Sequence, residues 1–259
     1  MADIIRWLPG ALDLHWWQLI AAIAAALAGG IISGLTGFGF GLVIVPVLLM
    51  LFPPASVVVL SKGLGAASGV PILLADWREV RFRTIATMFV PAVCGLVIGT
   101  AILTHADPSL IKLIAGVAVT LFAVIIGRGF VIPGIHSRIA PLVAGLASGT
   151  LGTSTGMPGP PAVMYLTHHD LPPRTFRVSI VGYFIAVDAI GVALVARAGK
   201  VGLHEFWIAL VLLPFALIGR RMGQRLIAVV DREQFRQITL RLLILTGASA
   251  IATALFGFR

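Results

Sequence analysis

The chain alternates between long apolar runs and short polar connections. A helix needs about 20 residues to cross the hydrocarbon core of a bilayer, and the pattern predicts spanning helices in the longer runs. These runs lie at 17–35, 54–75, 84–104, 109–132, 173–196, 203–219 and 238–257. Three further apolar segments, at 41–52, 140–151 and 159–167, are short and adjoin breaks rich in glycine or proline. Half-helices, re-entrant hairpins and tilted spans all fit them. The pattern predicts an all-α polytopic membrane protein.

The composition strengthens this prediction. Apolar residues make up 59% of the chain and charged residues 11%, and charged residues are about 25% of an ordinary soluble domain. The net charge of +9 could suggest a nucleic-acid partner, but the basic residues occupy short connections between apolar runs. The positive-inside bias of membrane proteins explains that distribution better. With Cys94 as the single cysteine, a disulfide within the chain and a cysteine-based metal cluster are both excluded.

Four arginine-rich connections predict the orientation. One holds Arg78, Arg81 and Arg83, Arg128 and Arg138 flank the second, Arg174 and Arg177 follow His168-His169 in the third, and the fourth, at 220–236, holds five arginines. All four fall on one side of the membrane if each of the pairs 17–52 and 140–167 returns to the side from which it came. We expect that side to be cytoplasmic. The connections 104–108 and 197–205 then face outward, as do both termini.

The two halves of the chain repeat a pattern of small residues. Ser33-Gly34, Gly37, Gly41 and Pro46 are each matched 115 residues later, by Ser148-Gly149, Gly152, Gly156 and Pro161. The pair Gly95/Gly99 is matched 124 residues later by Gly219/Gly223. Corresponding connections differ in charge and therefore face opposite sides. We expect two inverted repeats, 1–132 and 133–259, each opening with a broken or short helix pair followed by three spanning helices, an organisation typical of secondary transporters.

The repeated motif reads SGLTGFGFGLVIVP at 33–46 and SGTLGTSTGMPGPP at 148–161. In these paired motifs the chain resembles the sulfite exporter TauE/SafE family of membrane permeases, in which a glycine-rich stretch ending in a proline recurs near the start of each half. The resemblance covers nearly the whole chain. It implies a multi-pass transporter of the bacterial inner membrane that moves small anions, typically sulfite, sulfoacetate or other organosulfur compounds.

The motifs also suggest a binding site by their own chemistry. Closely spaced glycines break a helix and let backbone amides approach a ligand, and the start of a half-helix favours an anion. The hydroxyl groups are suited to oxyanions. Alternatively, the glycines pack helices closely and the hydroxyls bond their own backbone. The candidate substrate-binding residues are Ser33, Thr36, Gly37, Phe38 and Gly39 in the first motif, and Ser148, Gly152, Thr153, Ser154, Thr155 and Gly156 in the second.

Ionisable residues inside the spans are further candidates, because a charge at mid-depth usually faces a cavity or a partner. Lys62 could neutralise the charge of a substrate, and Tyr183 could contribute a hydroxyl to the pocket. Asp188 could carry a coupling proton, or it could be the structural partner of Lys62. We expect Arg220, with the arginines that follow it, to fix the topology or to contact anionic lipid.

Together these features favour a secondary transporter that moves a small anion, sulfite or an organosulfonate such as sulfoacetate, by alternating access. An anion channel would share every motif. A membrane-embedded enzyme would need paired catalytic side chains within the spans, and the chain has no P-loop for ATP. The neighbouring His168-His169-Asp170 is more typical of a membrane interface than of a metal site, so we expect no metal and no cofactor. The partners expected are the anion and the lipid bilayer; a coupling proton and a homodimer remain open.

Overall fold

The computed structural model describes residues 15–127, 139–169 and 171–226, and the regular structure in these ranges is helical. Its helices are α1 (Trp16–Thr36), α2 (Phe40–Leu48), α3 (Pro54–Asp76), α4 (Phe82–His105), α5 (Pro108–Gly127), α6 (Ala140–Thr155), α7 (Gly159–Leu166), α8 (Pro173–Arg197) and α9 (Leu203–Leu226). Short 3₁₀ turns follow α3 at Trp77–Glu79 and α7 at Thr167–His169. The predicted span at 238–257 and the end of the span at 109–132 lie outside the described residues.

Five of the described helices are long and apolar enough to cross a membrane: α1, α3 with its 3₁₀ turn, α4, α8 and α9. Their outer faces carry large apolar side chains, such as Leu74 on α3, Val90 on α4 and Phe206 on α9, that are more than half exposed. Such exposure is costly in water and favourable in lipid. The prediction of an all-α polytopic protein is therefore confirmed.

The two repeated motifs each break a helix. The first helix, α1, ends at Gly37, and the nine-residue α2 starts after Gly39; both glycines have a positive φ, 85° and 86°. The sixth helix, α6, ends at Gly156 with φ 81°, and the eight-residue α7 follows at Gly159. L side chains rarely adopt this backbone conformation. The motif glycines thus set where each helix stops.

The helices pack in reciprocal pairs. The most extensive contacts join α4 to α6 and α1 to α9, followed by α3 and α8. In each predicted half, the first helix (α1 or α6) lies along the fourth helix of the other half (α9 or α4). The third helices, α3 and α8, lie against each other. This arrangement brings the break after α1 and the break after α6 towards the same helix pair.

Equivalent glycines allow the close approach in both outer pairs. A Cβ atom added to Gly34 would collide with the backbone of Arg220, and one added to Gly223 would collide with the backbone of Ile31. In the other pair, a Cβ at Gly149 would meet the backbone of Ala92, and one at Gly99 would meet that of Thr150. Small residues at such contacts are how helices pack in lipid.

Candidate functional site

The two helix breaks enclose a common cavity of about 40 Å³, which we call the inter-break cavity. Residues 37–42 line it from the first break and residues 156–159 from the second. Ser33, Ser61, Gly65, Val181, Phe184, Asp188 and Arg220 complete the lining. One water needs roughly 10–15 Å³ by such a measure, so the cavity has room for a few waters or one small ion.

Local hydrogen bonds hold the first break. The Thr36 hydroxyl accepts the N–H of Phe38 at 3.1 Å and lies 2.9 Å from the Ile32 carbonyl oxygen. A side chain at Gly37 would be strained by the positive φ, and its Cβ would lie 2.7 Å from Cγ of Arg177. Glycine is therefore needed at this position for both backbone and packing reasons.

The start of α2 presents backbone donors to the inter-break cavity. The first hydrogen bond of this helix runs from the N–H of Val43 to the carbonyl of Gly39, at 3.2 Å. The amides of Phe40, Gly41 and Leu42 precede it and have no acceptor within the helix, and all three residues line the cavity. In α7 the second and third residues, Pro160 and Pro161, have no N–H group to offer. The anion-favouring end is therefore that of α2.

The hydroxyl groups of the second motif donate to backbone carbonyls. Thr153 donates to Leu96 on α4 at 2.7 Å, and Ser148 donates to Pro158 at 2.6 Å. Ser154 and Thr155 each bond the carbonyl four residues earlier at 2.7 Å. These contacts match the alternative in which the hydroxyls bond the backbone. They tie α6 to α4 and to the break instead of pointing at the inter-break cavity.

Lys62 and Asp188 form a buried ion pair. The Nζ of Lys62 donates to Oδ1 of Asp188 at 2.8 Å, and the two residues are only 1% and 5% exposed. They join α3 to α8 near the inter-break cavity, which Asp188 lines and Lys62 does not. Gly191 leaves the space that the lysine stem occupies, since a Cβ there would lie 2.8 Å from Cε of Lys62.

The structure thus divides the candidate site residues. Those that line the inter-break cavity are Ser33, Gly37, Phe38, Gly39, Gly156 and Asp188. Thr36 instead faces a second, larger cavity. Outside the lining of both lie Lys62, Ser148, Gly152, Thr153, Ser154, Thr155 and Tyr183, of which Tyr183 is buried beside Ser148.

The second cavity is a vestibule of about 1270 Å³. It lies between the ends of α1, α3, α8 and α9, on the side of the arginine-rich connections. Its charged lining consists of four arginines and one aspartate: Arg174, Arg177, Arg220, Arg221 and Asp76. Asp76 is paired with Arg174, so the remaining arginines give the vestibule a positive field. A cavity lined by one sign of charge concentrates ions of the opposite sign.

Arg220 lines both the inter-break cavity and the vestibule, although it is not among the site residues that the sequence predicts. It is 5% exposed, and its Nε and Nη1 atoms have no hydrogen-bond partner among the described residues. The prediction that Arg220 contacts anionic lipid is therefore wrong for this buried side chain. One signal was available: Arg220 directly follows Gly219, a residue of the close-packed face, and so lies next to a helix contact.

The metal interpretation of 168–170 was not favoured by the sequence. Across the parts of the chain that the structure describes, no three His, Cys, Asp or Glu side chains are grouped as metal ligands. His169 is exposed, and its Nδ1 lies 3.3 Å from the carbonyl oxygen of Tyr165. This histidine therefore contacts its own helix turn.

Comparisons with known proteins identify the family. The chain has no significant match among curated proteins or solved structures. The family model for the sulfite exporter TauE/SafE matches residues 21–250, which include both repeated motifs and all residues of the two cavities. With its five apolar spans, the chain therefore belongs to the sulfite exporter TauE/SafE family and is a multi-pass membrane transporter.

Proposed function

We propose that this chain is a secondary transporter that moves a small anion, sulfite or an organosulfonate such as sulfoacetate, across the bacterial inner membrane by alternating access. The observation that carries the proposal is the inter-break cavity, because both halves of the chain contribute a broken helix to it. Secondary transporters bind their substrate near mid-membrane, between repeats, at discontinuous helices. We propose the inter-break cavity as that binding site.

The chemistry of the cavity supports an anion as the substrate. The free amides at the start of α2 are donors and carry the positive end of a helix dipole. Arg220 adds a cation with unpaired N–H groups. Against these stands one carboxylate, Asp188, which is already paired with Lys62.

Reciprocal packing supports the proposed inverted repeats, which are the organisation of many transporters that work by alternating access. The halves 1–132 and 133–259 exchange equivalent contacts, α1 with α9 and α6 with α4. Gly34 and Gly149, which correspond at the spacing of 115 residues, each pack against a backbone of the other half. We propose that the two halves rock about the central contact between α3 and α8.

The vestibule supports an assignment of the conformation. It opens beside Arg174 and Arg221, at the ends of helices that lead into arginine-rich connections. Those connections are predicted to face the cytoplasm. We propose that the structure represents the cytoplasm-facing state, in which an anion enters the vestibule from inside the cell.

The ion pair supports a role in coupling. Asp188 lines the inter-break cavity, and its carboxylate is bonded to Lys62, which does not line it. Protonation of the carboxylate would release the lysine and alter the contact between α3 and α8. We propose that this exchange links a proton to the transport cycle.

A transport assay in proteoliposomes tests the proposal. Purified protein is reconstituted, and labelled sulfite, sulfate, sulfoacetate and taurine are supplied with and without a pH gradient. We expect saturable uptake of sulfite or sulfoacetate, accelerated by unlabelled substrate on the opposite side. Flux without such exchange would indicate a channel, recovery of a chemically altered anion would indicate an enzyme, and no flux of any of the four would overturn the proposal.

A further inference from the structure

The buried charges of the described residues do not balance. Three charged residues are buried: Lys62, Asp188 and Arg220. Lys62 and Asp188 form an ion pair at 2.8 Å, whereas neither ion pair among the described residues includes Arg220. Asp188 attracts the Arg220 guanidinium electrostatically without forming an ion pair with it. The three buried charges therefore sum to one excess positive charge, on an arginine that is 5% exposed. A buried cation of this kind is costly unless an anion or a set of acceptors faces it.

This guanidinium belongs to a residue that lies between the two cavities. Arg220 is the one charged residue that lines both the vestibule and the inter-break cavity within the described ranges. Its side chain occupies space left by a glycine on α3, because a Cβ at Gly69 would lie 3.0 Å from Nη1 of Arg220. An anion that moves from the vestibule to the amides of α2 therefore passes this group.

The chemistry of arginine narrows the ligand. A guanidinium presents N–H donors in a fixed plane, which matches pairs of oxygens on one ion. Sulfite and sulfonates carry such oxygen pairs, whereas halides do not. A lysine at the same position would supply charge without this geometric match.

We infer that Arg220 is the substrate-binding residue that selects oxyanions and transfers them between the vestibule and the inter-break cavity. This inference rests on the proposed function and names the group that recognises the substrate. The sequence suggested Lys62 as the residue that neutralises the charge of the substrate. Because Lys62 is already bonded to Asp188, the inference assigns this role to Arg220.

A structural role for Arg220 makes the opposite prediction for stability. If Arg220 only balances Asp188, replacement by the apolar Met must destabilise the protein, as the loss of a buried charge partner does. If Arg220 binds substrate, Arg220→Met removes the excess buried charge and leaves Asp188 bonded to Lys62, so the melting temperature stays unchanged or rises. Stability without substrate and affinity for substrate therefore separate the two roles.

The experiment measures the melting temperature of detergent-purified protein against rising sulfite and sulfoacetate, with chloride at equal ionic strength as reference. The variants are Arg220→Met, Arg220→Lys and, as a matched control, Arg225→Met, whose side chain is exposed outside both cavities. We expect wild type and Arg225→Met to be stabilised saturably. We expect Arg220→Met to keep its melting temperature and to bind at least about tenfold more weakly, since bonds to a charged group contribute about 1.5–3 kcal/mol. Arg220→Lys is expected to bind with reduced preference for oxyanion over chloride.

A second test displaces the guanidinium without removing it, by one glycine substitution on α3 with a matched control on the same helix. Gly69→Ala places a Cβ against Nη1 of Arg220, whereas at Gly63 on the same helix a Cβ would meet nothing within 4 Å. We expect weaker sulfite binding in Gly69→Ala and wild-type binding in Gly63→Ala.

The result that overturns the inference is distinct from failure of the proposed function. If wild type exchanges sulfite in proteoliposomes and folded Arg220→Met does so with an unchanged KM, the inference is wrong and the transport function stands. A lower melting temperature of Arg220→Met with unchanged affinity would likewise assign Arg220 a structural role. No exchange of any tested anion by wild type would overturn the function itself.

Discussion

At the scale of single residues, the Lys62–Asp188 ion pair bears on both the stability of the protein and the proposed proton coupling. Lys62 and Asp188 lie 126 positions apart in the chain and yet bond at 2.8 Å in a nearly closed environment. Removing one member leaves the other buried charge without its hydrogen-bonded partner, which costs more than removing both. The two residues therefore have to be tested together.

We predict that Lys62→Gln and Asp188→Asn each lower the free energy of unfolding by about 3–5 kcal/mol. The double variant should recover most of that loss, because it has no unpaired charge at this position. If the pair couples protons, the double variant exchanges anion at equal pH but no longer responds to a pH gradient. Melting temperatures and proteoliposome fluxes of all three variants measure both effects. A double variant with normal stability and a normal gradient response would remove the pair from the coupling mechanism.

Residue identities alone could not separate binding from structural hydroxyls. The run Thr153-Ser154-Thr155 shows three donors, but the choice of acceptor depends on rotamers and on the neighbouring helix. In the structure Thr153 reaches Leu96 on α4, and the other two bond their own helix. Local bonding of this kind is available to any Ser or Thr in a helix. The burial of Arg220 likewise could not be predicted from its own segment, because it depends on contacts with α1 and α3.

At the scale of elements, most helix bounds follow from hydropathy. The predicted runs 54–75, 84–104 and 173–196 match α3, α4 and α8 within two residues at each end. The run 203–219 stops early, because α9 continues through polar residues to Leu226. Hydropathy detects contact with lipid, whereas backbone hydrogen bonds decide where a helix ends. The run 140–151 is also short, since Thr155 continues α6 up to Gly156.

The breaks themselves yield a prediction about glycine. Gly37→Leu and Gly152→Leu should abolish transport, because a Cβ at Gly37 meets Arg177 and one at Gly152 lies 3.2 Å from Nζ of Lys62. The matched control is Gly199→Leu, where φ is also positive, 70°, but a Cβ meets nothing within 4 Å. The control should fold with a small loss of stability and retain uptake. Normal uptake by both motif variants at wild-type expression would reduce these glycines to ordinary packing.

At the scale of the whole molecule, the proposed inverted halves and the arginine-rich connections predict one topology. The vestibule lies at the end of the molecule that carries Arg174 and Arg221. The distribution of basic residues among the loops predicts that this end is cytoplasmic. The order of spans could be predicted from the sequence. The meeting of the two breaks at one cavity could not, because it depends on contacts between helices far apart in the chain.

Single-cysteine labelling tests that topology. The native Cys94 is exposed on α4, so Cys94→Ala provides the background. We predict that cysteines at Arg81 and Arg225 react only with reagent on the cytoplasmic side, and that cysteines at Asp107 and Gly202 react only from outside. All four positions are exposed in the structure, so lack of access does not explain a negative result. Labelling of positions 81 and 107 from the same side would contradict the inverted arrangement.

The central claim is that a small anion binds where the two breaks meet, and the most direct measurement is to locate a bound anion. Selenite is a heavier analogue of sulfite, and its selenium can be found by anomalous diffraction from crystals of the protein. We predict one selenium site in the inter-break cavity, within hydrogen-bonding distance of the amides of Phe40 and Gly41 or of the Arg220 guanidinium. Selenite that competes with sulfite uptake but occupies only a site away from both breaks would contradict the account.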